Sequence, residues 1–126
     1  MGGRLAKRDV RPDLIVSSPA TRALATAQII ARKLDYKLKN IVVDDRLYAC
    51  AADDLLKVIY EFADEQERVM LFGHNPEFTE LAHRLSSQIT EMPTCAVAEF
   101  RFDATSWSNI GKGTLAAATL DYPKKP

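Results

Sequence analysis

The sequence predicts an α/β fold whose sheet is parallel at first and antiparallel at one edge. Three observations carry this expectation. Short runs rich in β-branched residues alternate with longer segments of helical periodicity from Asp13 to Leu85. The C-terminal part instead alternates residue by residue and returns across a glycine-containing loop. The 126 residues, 47% of them apolar, suit one domain with a single core, and no repeat or low-complexity linker divides residues 1–126.

Arg4-Leu5-Ala6-Lys7-Arg8 reads as the end of a helix. Asp13-Leu14-Ile15-Val16-Ser17, entered through Pro12, reads as a buried strand. Ser18 and Pro19 predict an N-cap followed by proline at the first helical position. Ala20, Ala23, Leu24, Ala27, Ile30 and Leu34 then recur at helical spacing, which predicts a helix over Pro19 to Leu34. Ile41-Val42-Val43 forms a second short strand ending at Asp44-Asp45. Asp53 or Asp54 is expected to cap a helix with Leu55, Leu56, Ile59, Tyr60 and Ala63 on its apolar face. Val69-Met70-Leu71-Phe72 is a third strand, closed by Gly73-His74-Asn75-Pro76. There Asn75 is placed to cap, and Pro76 to begin, a helix carrying Phe78, Leu81, Ala82 and Leu85. Thr94 to Phe102 sets Ala96, Ala98, Phe100 and Phe102 on one face and Glu99 and Arg101 on the other. Leu115 to Leu120 is its expected antiparallel partner, across a loop with Trp107 and Gly111 to Gly113.

Composition excludes several classes. Lys and Arg number 17, and Asp and Glu also 17, so the charges cancel. Scattered, balanced charge argues against a nucleic-acid sleeve or a membrane-surface module. No apolar run approaches the roughly 20 residues that cross a bilayer. The first residues lack the apolar region of a secretory signal, and Cys50 and Cys95 stand far apart outside any CxxC pattern. These features predict a cytoplasmic domain with reduced thiols. His74 and His83 are the only histidines, and with no clustered cysteines they make no metal-ligand set. No metal or other cofactor is expected.

Two segments share one layout: Val16-Ser17-Ser18-Pro19-Ala20-Thr21-Arg22 and Leu71-Phe72-Gly73-His74-Asn75-Pro76. Each is a buried strand, a tight turn, a capping residue, and a proline at the start of a helix. In a parallel sheet such turns lie at the carboxyl ends of the strands, where open α/β folds bind ligands. Helix starts offer unpaired N–H groups and partial positive charge, which suit a phosphate. Arg22 adds a guanidinium and His74 an imidazole, so the pair makes a candidate oxyanion pocket. The plainer alternatives stay open on spacing alone. An arginine in a first turn is often just solvated, and His74 can be a turn histidine bonding its own backbone. His83 reads as structural or surface, Asp44-Asp45 and Asp53-Asp54 as strand-end and cap residues, and Lys124-Lys125 as a solvated tail.

The segment Arg11 to Ala23, followed by Thr26-Ala27, resembles the S-S-P-x-x-R-A-x-x-T-A block of the histidine phosphatase superfamily. Leu47-Tyr48, Phe72-Gly73-His74-Asn75-Pro76 and Met92-Pro93-Thr94-Cys95-Ala96-Val97 match later blocks of its SixA-type phosphohistidine phosphatases, in order. The resemblance implies a phosphoglycerate-mutase-like three-layer sandwich and a metal-independent phosphatase. A strand histidine attacks phosphorus to give a phosphoenzyme, which water then hydrolyses. By motif, Arg22 is the clamp arginine and His74 the second histidine, with Ser18 and Asn75 beside the phosphate. The implied partner is a phosphohistidine-containing protein or a small phosphorylated substrate. The family's leaving-group acid falls near Asp45-Arg46-Leu47, which holds no clear Glu, and that favours an easily expelled phosphoramidate.

One motif does not appear. The 126 residues contain no Arg-His-Gly or Arg-His-Ala, the segment that carries the family's nucleophile. Met1 to Asp9 matches the end of the helix that follows that strand, so a first βα unit of roughly 30 or more residues is expected to be missing. This chain is therefore expected to bind phosphate, sulfate or vanadate weakly at Arg22 and His74 without turnover. The rival reading is a non-catalytic module that binds phosphorylated partners. A response-regulator receiver fails, because Ser17-Ser18 stands where the acceptor aspartate belongs. In the family the absent strand lies between Val69–Phe72 and the C-terminal hairpin. Its loss is expected to uncover Val69, Leu71, Phe100 and Phe102 and leave strand edges open. Closure of the sheet, a dimer through those edges, or a loosely folded chain are the expected consequences.

Overall fold

The structure is a computed structural model that describes residues 2–48, 51–93 and 96–122. Cys50, Thr94, Cys95 and Lys124-Lys125 lie outside the described residues. The chain is mixed α/β, with a three-stranded parallel sheet and a two-stranded antiparallel hairpin. It groups into two compact units, residues 1–50 with 65–74, and residues 51–64 with 75–126.

In the first unit, β1 (Leu14–Ser17) lies between β2 (Val42–Val43) and β3 (Val69–Phe72), both parallel to it. The register sets Leu14 beside Val69 and Ser17 beside Phe72. Central β1 is the buried strand, with Ile15 and Ser17 at 0% exposure, whereas all of β3 is half-buried and both residues of β2 are exposed. At the start of the sheet, the Asp13 carboxylate accepts from the backbone N–H groups of Glu67 and Arg68, at 2.8 and 3.0 Å. This clasp fixes where β3 begins against β1.

Helix α1 (Gly2–Lys7) packs on α2 (Thr21–Lys33), which lies against β1 and β3. Leu5 joins Ile30 and Leu34, while Ile15 meets Ala27 and Ala31; Met70 and Phe72 pack against both groups. Both helices end on an aspartate in the left-handed region, Asp9 (φ 55°) and Asp35 (φ 58°). Asp tolerates that conformation better than most residues. After Asp35, Tyr36 N–H returns to Ala31 O at 2.8 Å. The Tyr36 hydroxyl accepts from Ile15 N–H at 3.3 Å and donates to Asn40 O at 2.9 Å. It supplies β1 with a bond that the two-residue β2 is too short to give.

In the second unit, α3 (Ala52–Tyr60) packs on α4 (Glu77–Leu85), burying Leu55, Val58 and Ile59 on one and Leu81, Ala82 and Leu85 on the other. Arg84 of α4 bonds Asp53 of α3. The hairpin pairs β4 (Val97–Phe102) with β5 (Leu115–Asp121), with an irregularity between Arg101 and Phe102. The expected alternation holds in β4: Ala98, Phe100 and Phe102 are half-buried, and Glu99 and Arg101 are exposed.

Three helix starts differ from expectation. α2 begins at Thr21, and its N-cap is Ala20, without a side-chain cap. The Ser18 hydroxyl is engaged elsewhere and bonds only as far along as Ala20 N–H. α3 has Ala51 at its N-cap, and Asp54, three residues in, accepts from Ala51 N–H at 3.0 Å. Asp54 therefore satisfies the helix start from inside the first turn rather than from the cap position. Pro76 is the N-cap of α4 rather than its first residue, and the Asn75–Pro76 bond is cis. Asn75 still serves the start, since its Oδ1 accepts from Thr79 N–H and from the Thr79 hydroxyl.

The described strands form two sheets, and β3 has a strand partner on one side only. Val69 and Leu71, like Phe100 and Phe102, are half-buried. No closure of the three-stranded sheet is present among the described residues.

Candidate functional site

The carboxyl ends of β1 and β3 bring the two predicted turns together. Because Ser17 is in register with Phe72, the next residues of each strand run out side by side. Ser18 N–H donates to Phe72 O at 2.9 Å, which extends the ladder one step beyond the strands. Ser18 Oγ then lies 2.9 Å from His74 Nε2. Ser18 is fully buried, and His74 is half-buried. On the other side of β1, Asp44 N–H donates to Ser17 O at 3.0 Å.

Pro19 explains why Ser18 is free to make this contact. It contributes no N–H, so the first backbone donor within reach of Ser18 Oγ is Ala20 N–H, 3.2 Å away. The hydroxyl closes a local turn instead of capping α2. The helix start consequently keeps unpaired N–H groups, and its first turn contains no acidic residue.

Arg22 sits in that first turn and is exposed. Its carbonyl accepts from the Thr26 hydroxyl at 3.0 Å, while its guanidinium has no hydrogen-bond or ion-pair partner among the described residues. An unneutralised guanidinium on an unneutralised helix start is a region of positive potential.

Asp44, at the end of β2, is engaged with Arg46. Its carboxylate is bound by Arg46 through Nη2 (2.8 Å) and Nε (3.1 Å), and by Arg46 N–H at 2.9 Å. The hydrogen bond from the Arg46 side chain, opposed in part by burial, holds the Asp44 carboxyl below its ordinary value. Asp44 thereby caps the short 3-10 turn Asp45–Leu47, as a strand-end and cap residue should.

Tyr48 completes the surroundings of His74. Leu47, 1% exposed, anchors the turn, and Tyr48, 58% exposed, meets the His74 ring edge-on with centroids 5.8 Å apart. Sequence reasoning placed Tyr48 in a matching block without assigning it a role. The signal available was a buried leucine followed by an aromatic just past a strand end.

The remaining candidates belong to the second unit and have their own partners there. Asn75 follows His74 in the chain, but its side chain serves α4: Oδ1 binds Thr79 and Nδ2 donates to Met92 O at 3.1 Å. His83 lies within α4 and is exposed, with its Nδ1 2.9 Å from Ile89 O, in keeping with a structural or surface residue. Among the described residues, no three His, Cys, Asp or Glu side chains form a metal-ligand group, and no helix is long and apolar enough to cross a membrane.

Ser18 and His74 therefore meet at the carboxyl ends of two parallel strands, and Arg22 lies in the first turn of the helix that follows Ser18. The profile of the Histidine phosphatase superfamily (branch 1) matches residues 1–92. Two solved structures, each described as a "putative phosphohistidine phosphatase SixA", are similar. One, a crystal structure from Agrobacterium tumefaciens, is 33% identical over 71% of this chain, with a TM-score of 0.60. This chain spans 55% of that protein's length. The other, from Nakamurella multipartitia, is 14% identical over 98% of this chain and 78% of its own, with a TM-score of 0.69, and speaks to the fold alone. No curated protein matches the chain.

Proposed function

The chain belongs to the histidine phosphatase superfamily, and from that membership we propose that its Arg22 and His74 hold the phosphoryl group in a SixA-type hydrolysis of phosphohistidine. The observation that carries the reading is the Ser18–His74 contact of 2.9 Å. It ties the turn that leads into Arg22 to the turn that bears the second histidine. The reading is further supported by the Arg22 guanidinium, which has no partner among the described residues, and by the similarity to the A. tumefaciens protein described as a "putative phosphohistidine phosphatase SixA".

In an intact enzyme of this type a nucleophilic histidine nitrogen, supplied by a segment outside these 126 residues, bonds to phosphorus while the P–N bond of the substrate breaks and its imidazole leaves. Water then cleaves the enzyme's own P–N bond and releases phosphate. Arg22, the N–H groups at the start of α2, and His74 stabilise the oxygens as charge gathers on them. Arg46 is tied to Asp44, and no glutamate stands in Asp45-Arg46-Leu47. An imidazole leaves with less acid assistance than an alkoxide, which favours phosphohistidine in a protein over small phosphoesters.

The motif match assigns the nucleophile to neither histidine of this chain: His74 falls at the family's second histidine, and His83 lies within α4 with its Nδ1 2.9 Å from Ile89 O. With no Arg-His-Gly or Arg-His-Ala among its 126 residues, this chain binds oxyanions without turnover. Among the described residues β3 has a strand partner on one side only, which supports self-association through its other edge, to be read by gel filtration as a dimer. The test of function is hydrolysis of a phosphohistidine peptide by the purified chain. No rate above background is expected. A robust rate that disappears in Arg22→Ala overturns the proposal of binding without turnover.

A further inference from the structure

The hydrogen bonds around Ser18 decide which nitrogen of His74 faces outward. A hydroxyl has one proton to donate and can accept at two lone pairs. Ser18 Oγ accepts from Ala20 N–H at 3.2 Å and lies 2.9 Å from His74 Nε2. Ala20 N–H is itself a donor and cannot take the hydroxyl proton. Ser18 is 0% exposed, so bulk water does not reach it, and no other acceptor contacts Oγ among the described residues. The one acceptor left for the proton is Nε2.

A bare Nε2 means that the neutral ring carries its proton on Nδ1. In the opposite arrangement Nε2–H donates to Oγ, and a buried hydroxyl proton is stranded without an acceptor, which is costly. His74 Nδ1 itself has no partner among the described residues.

We infer that Ser18 is a positioning residue: its hydroxyl fixes His74 as the Nδ1–H tautomer and so makes Nδ1–H the donor offered to a phosphoryl oxygen. Ser18 is then not a phosphate ligand, because its one proton is committed to the ring. The edge-on Tyr48 ring limits rotation of the imidazole from another side. The inference deepens the phosphoryl-donor reading of His74 and rests on that reading for its functional meaning, whereas the tautomer itself is independent of it.

The test is a two-bond proton–nitrogen correlation spectrum of the ¹⁵N-labelled chain, recorded where both histidines are neutral and assigned with His83→Gln. In water a neutral histidine ring favours the proton on Nε2, so the Nδ1–H form is diagnostic. The wild-type chain is expected to show His74 as Nδ1–H. Ser18→Thr, which keeps the hydroxyl, retains that form, and Ser18→Ala shifts His74 toward Nε2–H. His83, bonded to Ile89 O through Nδ1, stays unchanged and serves as the internal control. A wild-type His74 in the Nε2–H form overturns the inference even where Ser18→Ala does not fold. An unaltered His74 spectrum in a folded Ser18→Ala does so too. Orthovanadate separates the two layers. Ser18→Ala weakens its binding about tenfold, the scale of one misdirected charge-assisted hydrogen bond, and Ser18→Thr restores it. Wild-type protein that shows the Nδ1–H tautomer and no vanadate binding refutes the phosphoryl reading and leaves the tautomer assignment standing.

Discussion

Asp13→Ala removes the clasp that joins the two strands bearing Ser18 and His74. The carboxylate accepts two backbone N–H bonds, at 2.8 Å from Glu67 and 3.0 Å from Arg68. Bonds to a charged acceptor contribute about 1.5–3 kcal/mol each where water is kept out. Asp13 is exposed, so water replaces part of each, and about 1 kcal/mol per bond is the reasonable count, about 2 kcal/mol together. Asp13→Asn keeps an acceptor but loses the charge, and is expected to cost about half as much. At roughly 4 °C per kcal/mol for a chain of this size, Tm falls by about 8 °C for alanine and about 4 °C for asparagine. Native-state hydrogen exchange gives the local reading. Amides of β1 and β3 should exchange about thirtyfold faster in Asp13→Ala, the factor that corresponds to about 2 kcal/mol. Exchange unchanged within about twofold, or asparagine as damaging as alanine, would refute the reasoning.

Tyr36→Phe leaves the buried Ile15 N–H without its 3.3 Å acceptor and should cost about 1–2 kcal/mol. The check is the denaturant midpoint together with exchange at the Ile15 amide, and an Ile15 amide as protected as before contradicts it. Asp44→Asn tests the Asp44–Arg46 contact through pH. The folded-state carboxyl is held below its ordinary 3.8, so its stabilisation is fully present above about pH 4 and fades as pH falls through the depressed value. The Tm gap between wild type and Asp44→Asn should be full at about pH 6 and close in stronger acid; a gap that widens in acid contradicts the assignment.

Much of the frame is local and was legible in the residues themselves. The apolar run at Leu14–Ser17, the helical recurrence of Ala23, Ala27 and Ile30, and the alternation of β4 each follow from side chains a few positions apart. The caps were less legible because they depend on competition between distant partners. Ser18 has the right chemistry for an N-cap, but a ring 56 residues away bonds its hydroxyl. Asp53 and Asp54 are equivalent in sequence, yet one serves Arg84 and the other its own helix start. In the site, Arg22 and His74 were found through the repeated strand–turn–helix layout. The Tyr48 contact and the spare Nδ1 of His74 were hidden, since both follow from strand register rather than from any local pattern.

The most direct test of the account is an orthovanadate titration of the purified chain, followed on the His74 side-chain resonances and repeated with Arg22→Ala and His74→Asn. Saturable binding that moves the His74 signals, fails in Arg22→Ala and is weakened in His74→Asn is the predicted result. Binding that survives unchanged in Arg22→Ala, or that leaves the His74 resonances in place, would contradict the assignment of these two residues to one oxyanion site.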